Sequence, residues 1–266
     1  MCEKLEVSRS GFYAWCRRPE SVHSRRDQAL TRRIGEYFEG SSGTYGSPRI
    51  HALLRREGER VGRKRVARLM RQLRLKARAN LIYRRFRGAA ICHLDIGNQA
   101  REKEVTGPNQ VWRGDITYLH VGREWRYLAV VLDHYSRRCL GYQLGQQRTT
   151  ELTVAALKQA IAKRRPPPGL VFHSDRGSEY AGYHYRDRLA HRGIVQSVNR
   201  PKTMTDNAHV ESFFHTLKSD VIHGQRFGAT EDLDNVVRRY IAHYNRSRLH
   251  SALGYRSPID YERANA

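Results

Sequence analysis

The chain predicts an α/β fold built on a mixed five-stranded sheet and preceded by a small basic helical unit. Three observations lead there. Residues 24–87 repeat apolar side chains at helical spacing. From residue 109 onward, strand-like and helix-like runs follow in the order βββαβαβαα, an α/β layer pattern. Two strand-like runs carry an acidic residue where an acid is disfavoured: Asp115 in VWRGDITYL and Asp175 in FHSDRGSEY.

The elements follow in order. KLEVSRSGFYAW reads as the turn and second helix of a helix-turn-helix, with Ser8 as cap and Arg9 on the exposed first turn. An equal alternative is an amphipathic helix that packs Phe12, Tyr13 and Trp15 onto the body. Leu30, Ile34 and Phe38 mark a first basic helix, and SSGTYGSPRI turns the chain. Pro48 suits the start of a second helix with Ile50, Leu53 and Leu54 inward. RKRVARLMRQLRL is a third, with Val66, Leu69, Met70 and Leu73 on one face. Its remaining surface carries Arg63, Lys64, Arg65, Arg68, Arg71 and Arg74, and a helix so one-signed repels itself unless phosphate is near. Arg63, Arg68 and Arg71 are therefore candidate DNA contacts. Residues 88–108, with Gly88, Gly97, Gly107 and Pro108, read as a linker.

Three strands then form a meander: VWRGDITYLHV, EWRYLAVVLDHYSR and RRCLGYQLGQQ. TTELTVAALKQAIAKRR is a helix capped by Thr149 or Thr150 and stopped by PPPG, with Val154, Leu157 and Ile161 inward. GLVFHSD suits a short buried parallel strand. YHYRDRLAHRG is a helix, IVQSVN a strand, and DNAHVESFFHTLKSDVI and TEDLDNVVRRYIAHYN two helices. The expected organisation is 1–23 a partial helix-turn-helix-like segment, 24–87 a helical DNA-binding domain, 88–108 a linker, 109–225 the catalytic core, and 226–266 its helical C-terminal extension.

The chain holds 49 Lys and Arg against 26 Asp and Glu, a net charge of +23, with 25 of the basic residues among the first 104. The excess is spread through the chain rather than gathered in a tail, the footprint of a nucleic-acid binder more than of a membrane-surface protein. No apolar run approaches the roughly 20 residues that span a bilayer, and MCEKLEVSRS lacks a signal-peptide core, so a cytoplasmic place and no membrane partner are expected. Cys2, Cys16, Cys92 and Cys139 form no CxxC pair, which argues against structural zinc and a disulfide framework, and the adjacent Cys92-His93 is a poor metal site.

Glu211 completes a set with Asp115 and Asp175. Thirty-five residues separate it from Asp175, and it lies off the apolar stripe Val210, Phe213, Phe214 and Leu217 of its helix. Lys218 projects from the same face, seven residues or nearly two turns later. Three carboxylates brought together repel, so convergence implies bound cations, and oxygen-only ligands suit Mg²⁺ or Mn²⁺. Each has a bland alternative: an exposed acid beside an exposed lysine for Glu211, a turn cap for Asp175. Asp115, mid-strand, is the hardest to explain away. Asp133, before HYSRR, reads as a strand terminator that bonds backbone amides. Charge and acids together point to an enzyme that cuts and joins DNA.

Taken over nearly its whole length, the chain resembles the second-frame (OrfB) product of bacterial insertion-sequence transposases with a retroviral-integrase-like, Asp-Asp-35-Glu catalytic core. TYGSPRI, RVARLMR, PNQVWRGDITYL, YLAVVLDHYSRRCLGY, FHSDRGSEY, DNAHVESFFHTLK and YNRSRLHSALGYRSP carry the resemblance. It implies an RNase H-like fold in which Asp115, Asp175 and Glu211 hold two Mg²⁺ ions, with Mn²⁺ able to substitute, and no covalent protein–DNA intermediate. It further implies that Lys218 holds phosphate, that Asn207 orients Glu211 or DNA unless it merely caps its helix, and that Arg176 and His173 are weaker candidates. Element ends and target, both double-stranded DNA, would be the partners, bound by a homo-oligomer. The abrupt start fits a chain joined to an upstream-frame product by frameshifting. PKTMTDNA departs from the family, whose members more often carry glycine and tryptophan there. A non-catalytic DNA-binding regulator and a plain RNase H-type or Holliday-junction nuclease are the competing readings.

Overall fold

The computed structural model describes residues 2, 6–17, 21–78, 96–101, 103–201, 203–223, 225 and 227–265. Residues 79–87 of the expected helical domain, 88–95 of the expected linker (Cys92 and His93 among them) and Lys202 lie outside that set. The chain divides into two compact units, residues 1–78 and 79–266.

The first unit contains α1 (Arg9–Arg17), α2 (Val22–Gly40), α3 (Ser47–Arg56) and α4 (Arg63–Gln72). Ser8 Oγ accepts from Gly11 N at 3.0 Å and Ser21 Oγ from Ser24 N at 3.1 Å, so both first turns have their orphan amides capped. The core keeps most of the predicted apolar set: Leu30 and Ile34 of α2, Ile50 and Leu54 of α3, Val66, Leu69 and Met70 of α4; Phe38 and Leu53 are only half-buried, and Leu73, just past the end of α4, is exposed. Burying each such side chain contributes about 1.5–3 kcal/mol. α1 buries none of its residues, so Phe12, Tyr13 and Trp15 do not pack onto the body as one reading had it. The one-signed face of α4 also needs correction. Arg65 Nε and Arg68 Nη2 both reach Asp27 of α2, at 2.7 and 2.6 Å, and hold its carboxyl below the usual carboxylate range. Part of that charge is thus balanced across a tertiary contact that helical spacing cannot reveal. Arg63 and Arg71 remain exposed.

The second unit is a five-stranded sheet: β1 (Val111–Val121), β2 (Glu124–Asp133), β3 (Cys139–Gly145), β4 (Val171–Ser174) and β5 (Val195–Val198), in spatial order β3-β2-β1-β4-β5. The meander β1–β2–β3 is antiparallel, and β4 and β5 add in parallel on the other side of β1. Asp133 ends β2 as expected: its carboxylate accepts from Asn109 N at 2.7 Å and Ser136 N at 3.0 Å.

Alternation along β2 divides the core in two. Leu128, Val130 and Leu132 face α8 (Ala208–Leu217) and α9 (Thr230–Arg246), while Ala129 and Val131 face α5 (Thr150–Arg164) and α7 (Tyr183–Ala190). Two elements escaped the sequence reading, α6 (Ser178–Ala181) and α10 (Pro258–Ala264). Glu262 of α10 binds Arg138 and Ser136 and pairs with Arg164, which ties the last helix to the β2–β3 turn and the end of α5. α5 lies against the bare face of β3, where a Cβ on Gly141 would stand 2.1 Å from the Ala156 carbonyl oxygen and 2.9 Å from Ala160 N. Both contacts are backbone, so Gly141→Ala must push the helix off the sheet. The expected cost is about 3 kcal/mol, the upper range for overpacking, read from chemical denaturation.

Candidate active site

Strand register aligns the first two acids. β1 and β4 run parallel, with Arg113 opposite His173. Two residues further along each chain, on the same side of the sheet, come Asp115 and Asp175, the latter just past the end of β4. Asp115 Oδ1 accepts from Ile116 N at 2.8 Å, and Asp175 Oδ1 from Gly177 N at 3.0 Å. Burial, then the nearby Asp175, and more weakly Glu211, push the Asp115 carboxyl well above its ordinary value. Asp175 is raised as well, first by burial.

The neighbours of Asp115 seat the third acid. Asn207 is buried and its Nδ2 donates to Gly114 O at 3.0 Å, while Arg113 Nη1 donates to Asp206 O. These two bonds tie the start of α8 to the two β1 residues just before Asp115, and Glu211 sits in the first turn of α8. Gly114 has to be a glycine here, because a Cβ would meet Phe172 Cζ at 2.4 Å. Glu211 itself is exposed. It is close enough to act on the charge of Asp115, but among the described residues no three acidic, histidine or cysteine side chains are gathered as a ready metal-ligating group. Mutual repulsion keeps three anions from closing on one another unless a cation is present. The donors nevertheless fit a hard cation. All are carboxylate oxygens, and two of them are held in a partly buried place that resists negative charge, which a divalent ion relieves.

Two charged residues beside the acids were missed. Arg148 Nε donates to Glu179 Oε1 at 2.6 Å, and its Nη2 lies 3.7 Å from Asp175 Oδ2. Glu179, 4% exposed, sits under the bare Gly177, where any Cβ would strike its carboxylate at 2.4 Å. The acidic cluster therefore has a built-in cation beside Asp175, anchored from below. The only sequence signals were an arginine just before a helix cap and an acid after a glycine turn.

Other expected site residues fall into two groups. Lys218 ends α8 with Nζ 4.4 Å from the Tyr118 ring centroid; burial lowers its pKa, and attraction to Asp115 opposes that. It opens a π-turn, Lys218–Ile222, where the pattern predicted continuous α-helix. Asn207 makes no cap bond and points into the core, while Arg176 donates to Asn199 O at 2.7 Å and Ile96 O at 3.4 Å. Both fasten backbone rather than face outward. His173 is fully buried between Ser197 Oγ and Asn199 Oδ1, each at 2.8 Å. Beneath the acids, burial pushes His134 down to about 3, His173 to about 4 and His209 to about 4, with Arg113 adding to each. His134 stacks on His209 with centroids 4.3 Å apart, and its Nδ1 accepts from Arg113 Nε at 2.7 Å.

Comparison with known proteins shows the family. Residues 25–85 match an HTH-like domain family, and residues 105–203 and 192–258 match integrase core domain families. An insertion element IS600 protein of 31 kDa from Shigella sonnei is 38% identical over 98% of this chain and 97% of its own length. The transposase InsF for insertion sequence IS3A from Escherichia coli K12 is 37% identical over 100% of this chain and 93% of its own. The chain belongs to the IS3 family of transposases. As an IS3-family transposase it is a DNA-binding enzyme with an integrase core and an HTH-like helical unit. Among solved structures, the catalytic core domain of HTLV-2 integrase in complex with magnesium superposes with a TM-score of 0.48 at 18% identity, over 60% of this chain and 99% of that one. No helix among the described residues of this transposase is long and apolar enough to cross a membrane.

Proposed function

We propose that this transposase nicks the ends of its insertion sequence and transfers the freed strands to target DNA, with Asp115, Asp175 and Glu211 holding two Mg²⁺ ions, or Mn²⁺ in their place. The observation that carries the reading is the alignment of Asp115 and Asp175 across β1 and β4, with Glu211 brought toward them by bonds to the two residues just before Asp115. When bound, the ions would activate the attacking oxygen and neutralise charge on the departing 3′-oxygen. The protein's part is placement. Asp115, on a central strand, supplies a rigid donor within reach of both other acids, and Asn207 and Arg113 fix the angle at which α8 presents Glu211. Arg148, braced by Glu179, and Lys218, over Tyr118, offer positive charge to the phosphates flanking the cut. Arg63 and Arg71 of α4 are left to bind DNA backbone in the first unit, with Arg68 shared between Asp27 and solvent.

Because two element ends must be held together, the active form is at least a homodimer on DNA, joined by or fused to the product of an upstream frame. Labelled duplex carrying an element end tests the reading directly. Nicked product should appear on adding Mg²⁺ or Mn²⁺ and vanish with chelator. DNA left unnicked whether or not Mg²⁺ or Mn²⁺ is added would leave a DNA-binding regulator in place of the proposed nicking and transfer.

A further inference from the structure

Two rings at the far end of the β1–β2 hairpin, His120 and Trp125, have no part in the reading above, and they join Tyr118 in one group. Tyr118 and His120 alternate onto one face of β1, and the hairpin register sets Trp125 opposite His120. Trp125 meets Tyr118 edge-on at 5.1 Å and His120 at 4.1 Å. Such cross-strand pairs stabilise a hairpin on their own. That role does not explain the exposure: Trp125 is 40% open to solvent, and His120 is exposed too.

Position argues for more. Tyr118 follows Asp115 by three residues, about 10 Å along a strand or roughly three stacked nucleotides of one DNA strand, and so leaves β1 on the opposite face from Asp115. Lys218 lies across the Tyr118 ring and is drawn electrostatically to Asp115, so this one side chain links the rings to the acidic cluster around β1. An aromatic surface with a cation at its inner edge, on a chain of net charge +23, is complementary to a polyanion that carries flat bases.

We propose that Trp125, with Tyr118 and His120 behind it, is a stacking platform for an unpaired base of the DNA strand whose phosphates lie at the acidic cluster. The proposal rests on the nicking and transfer reading for the identity of that strand. Stacking is indifferent to base identity because every base has a π-face, so the platform recognises strand opening rather than sequence. A duplex melted by a few nucleotides at the cut would be held open by it.

The test uses the full chain in chelator, so that binding is read without catalysis. Two duplexes are compared, one blunt and one ending in two unpaired nucleotides with 2-aminopurine at the tip. The wild-type chain should bind the frayed duplex more tightly than the blunt one and quench the probe. Trp125→Leu keeps apolar bulk but has no π-face, and should lose about tenfold in affinity for the frayed duplex, with the quench, while its blunt-duplex affinity is unchanged. Trp125→Phe should keep most of both. No quench with wild type, or an undiminished quench with Trp125→Leu, would overturn the proposal. Photocrosslinking of 5-iodouracil at the unpaired tip needs no variant: adducts on Trp125, Tyr118 or His120 support the platform, and adducts confined to other peptides refute it. Metal-dependent nicking is measured separately, so loss of that activity and loss of the platform are told apart.

Discussion

Asp115→Asn is expected to abolish end nicking, by at least about a thousandfold, while raising the stability of the metal-free protein at neutral pH. The two effects have one cause. Burial, Asp175 and Glu211 disfavour the ionised Asp115, so the folded state holds a proton there that the unfolded chain has already released above its ordinary value of 3.8. Between that value and the raised one, the folded state binds more protons than the unfolded state, and stability falls as pH rises. Asparagine carries no such charge. Its advantage over wild type should be present at pH 7 and shrink as the pH falls to and below 3.8, where Asp115 becomes protonated in the unfolded state as well. Mg²⁺ should raise the melting temperature of wild type and leave that of the variant nearly unchanged, since bound ligand stabilises only the state that binds it. A variant that nicks at the wild-type rate would remove Asp115 from the chemistry. One that is less stable than wild type at pH 7 without metal would contradict the charge argument.

Arg248→Met should be the most destabilising single change away from the acids. Arg248 is 5% exposed and its Nε donates to Asp220 Oδ2 at 2.8 Å; Tyr240 Oη donates to the same oxygen at 3.3 Å. Removing the cation takes the Arg248 charge away from a buried anion, a loss of about 3–5 kcal/mol, or about 10 °C in melting temperature for a unit of this size. Asp220 belongs to the π-turn that begins with Lys218, so the variant should also weaken DNA binding in its folded fraction. Adding Asp220→Asn to Arg248→Met should restore much of the stability. Failure of that second change to rescue would show that the pair contributes by packing rather than by charge.

How far the sequence could be read depended on the range of the contacts involved. Apolar periodicity sufficed for α2, α3 and α4 and for the β1–β2–β3 meander, because period and turn chemistry act over a few residues. Asp115 was conspicuous for a local reason, an acid among strand formers. Arg148 and Glu179 were not, since they meet across 31 residues and each alone looks like an ordinary residue near a helix start. Asn207 had the sequence of a cap but spends its amide on Gly114, 93 residues away, and only the assembled sheet shows this. The π-turn stayed hidden because Asp220 and Arg248, which hold it, lie 28 residues apart in a stretch whose apolar pattern is helical throughout. α6 went unread for the opposite reason: at four residues, Ser178–Ala181, it is too short for any period to show.

The layer of imidazoles under the acids has a consequence for how the enzyme responds to its surroundings. With His134 at about 3 and His173 and His209 at about 4, all three are uncharged throughout the physiological range. They act as a fixed dielectric floor and not as proton reservoirs. Modest acidification of the cell should therefore leave the support of the cutting centre electrically unchanged, and sensitivity to acidity falls to the carboxylates that compete for protons and cations.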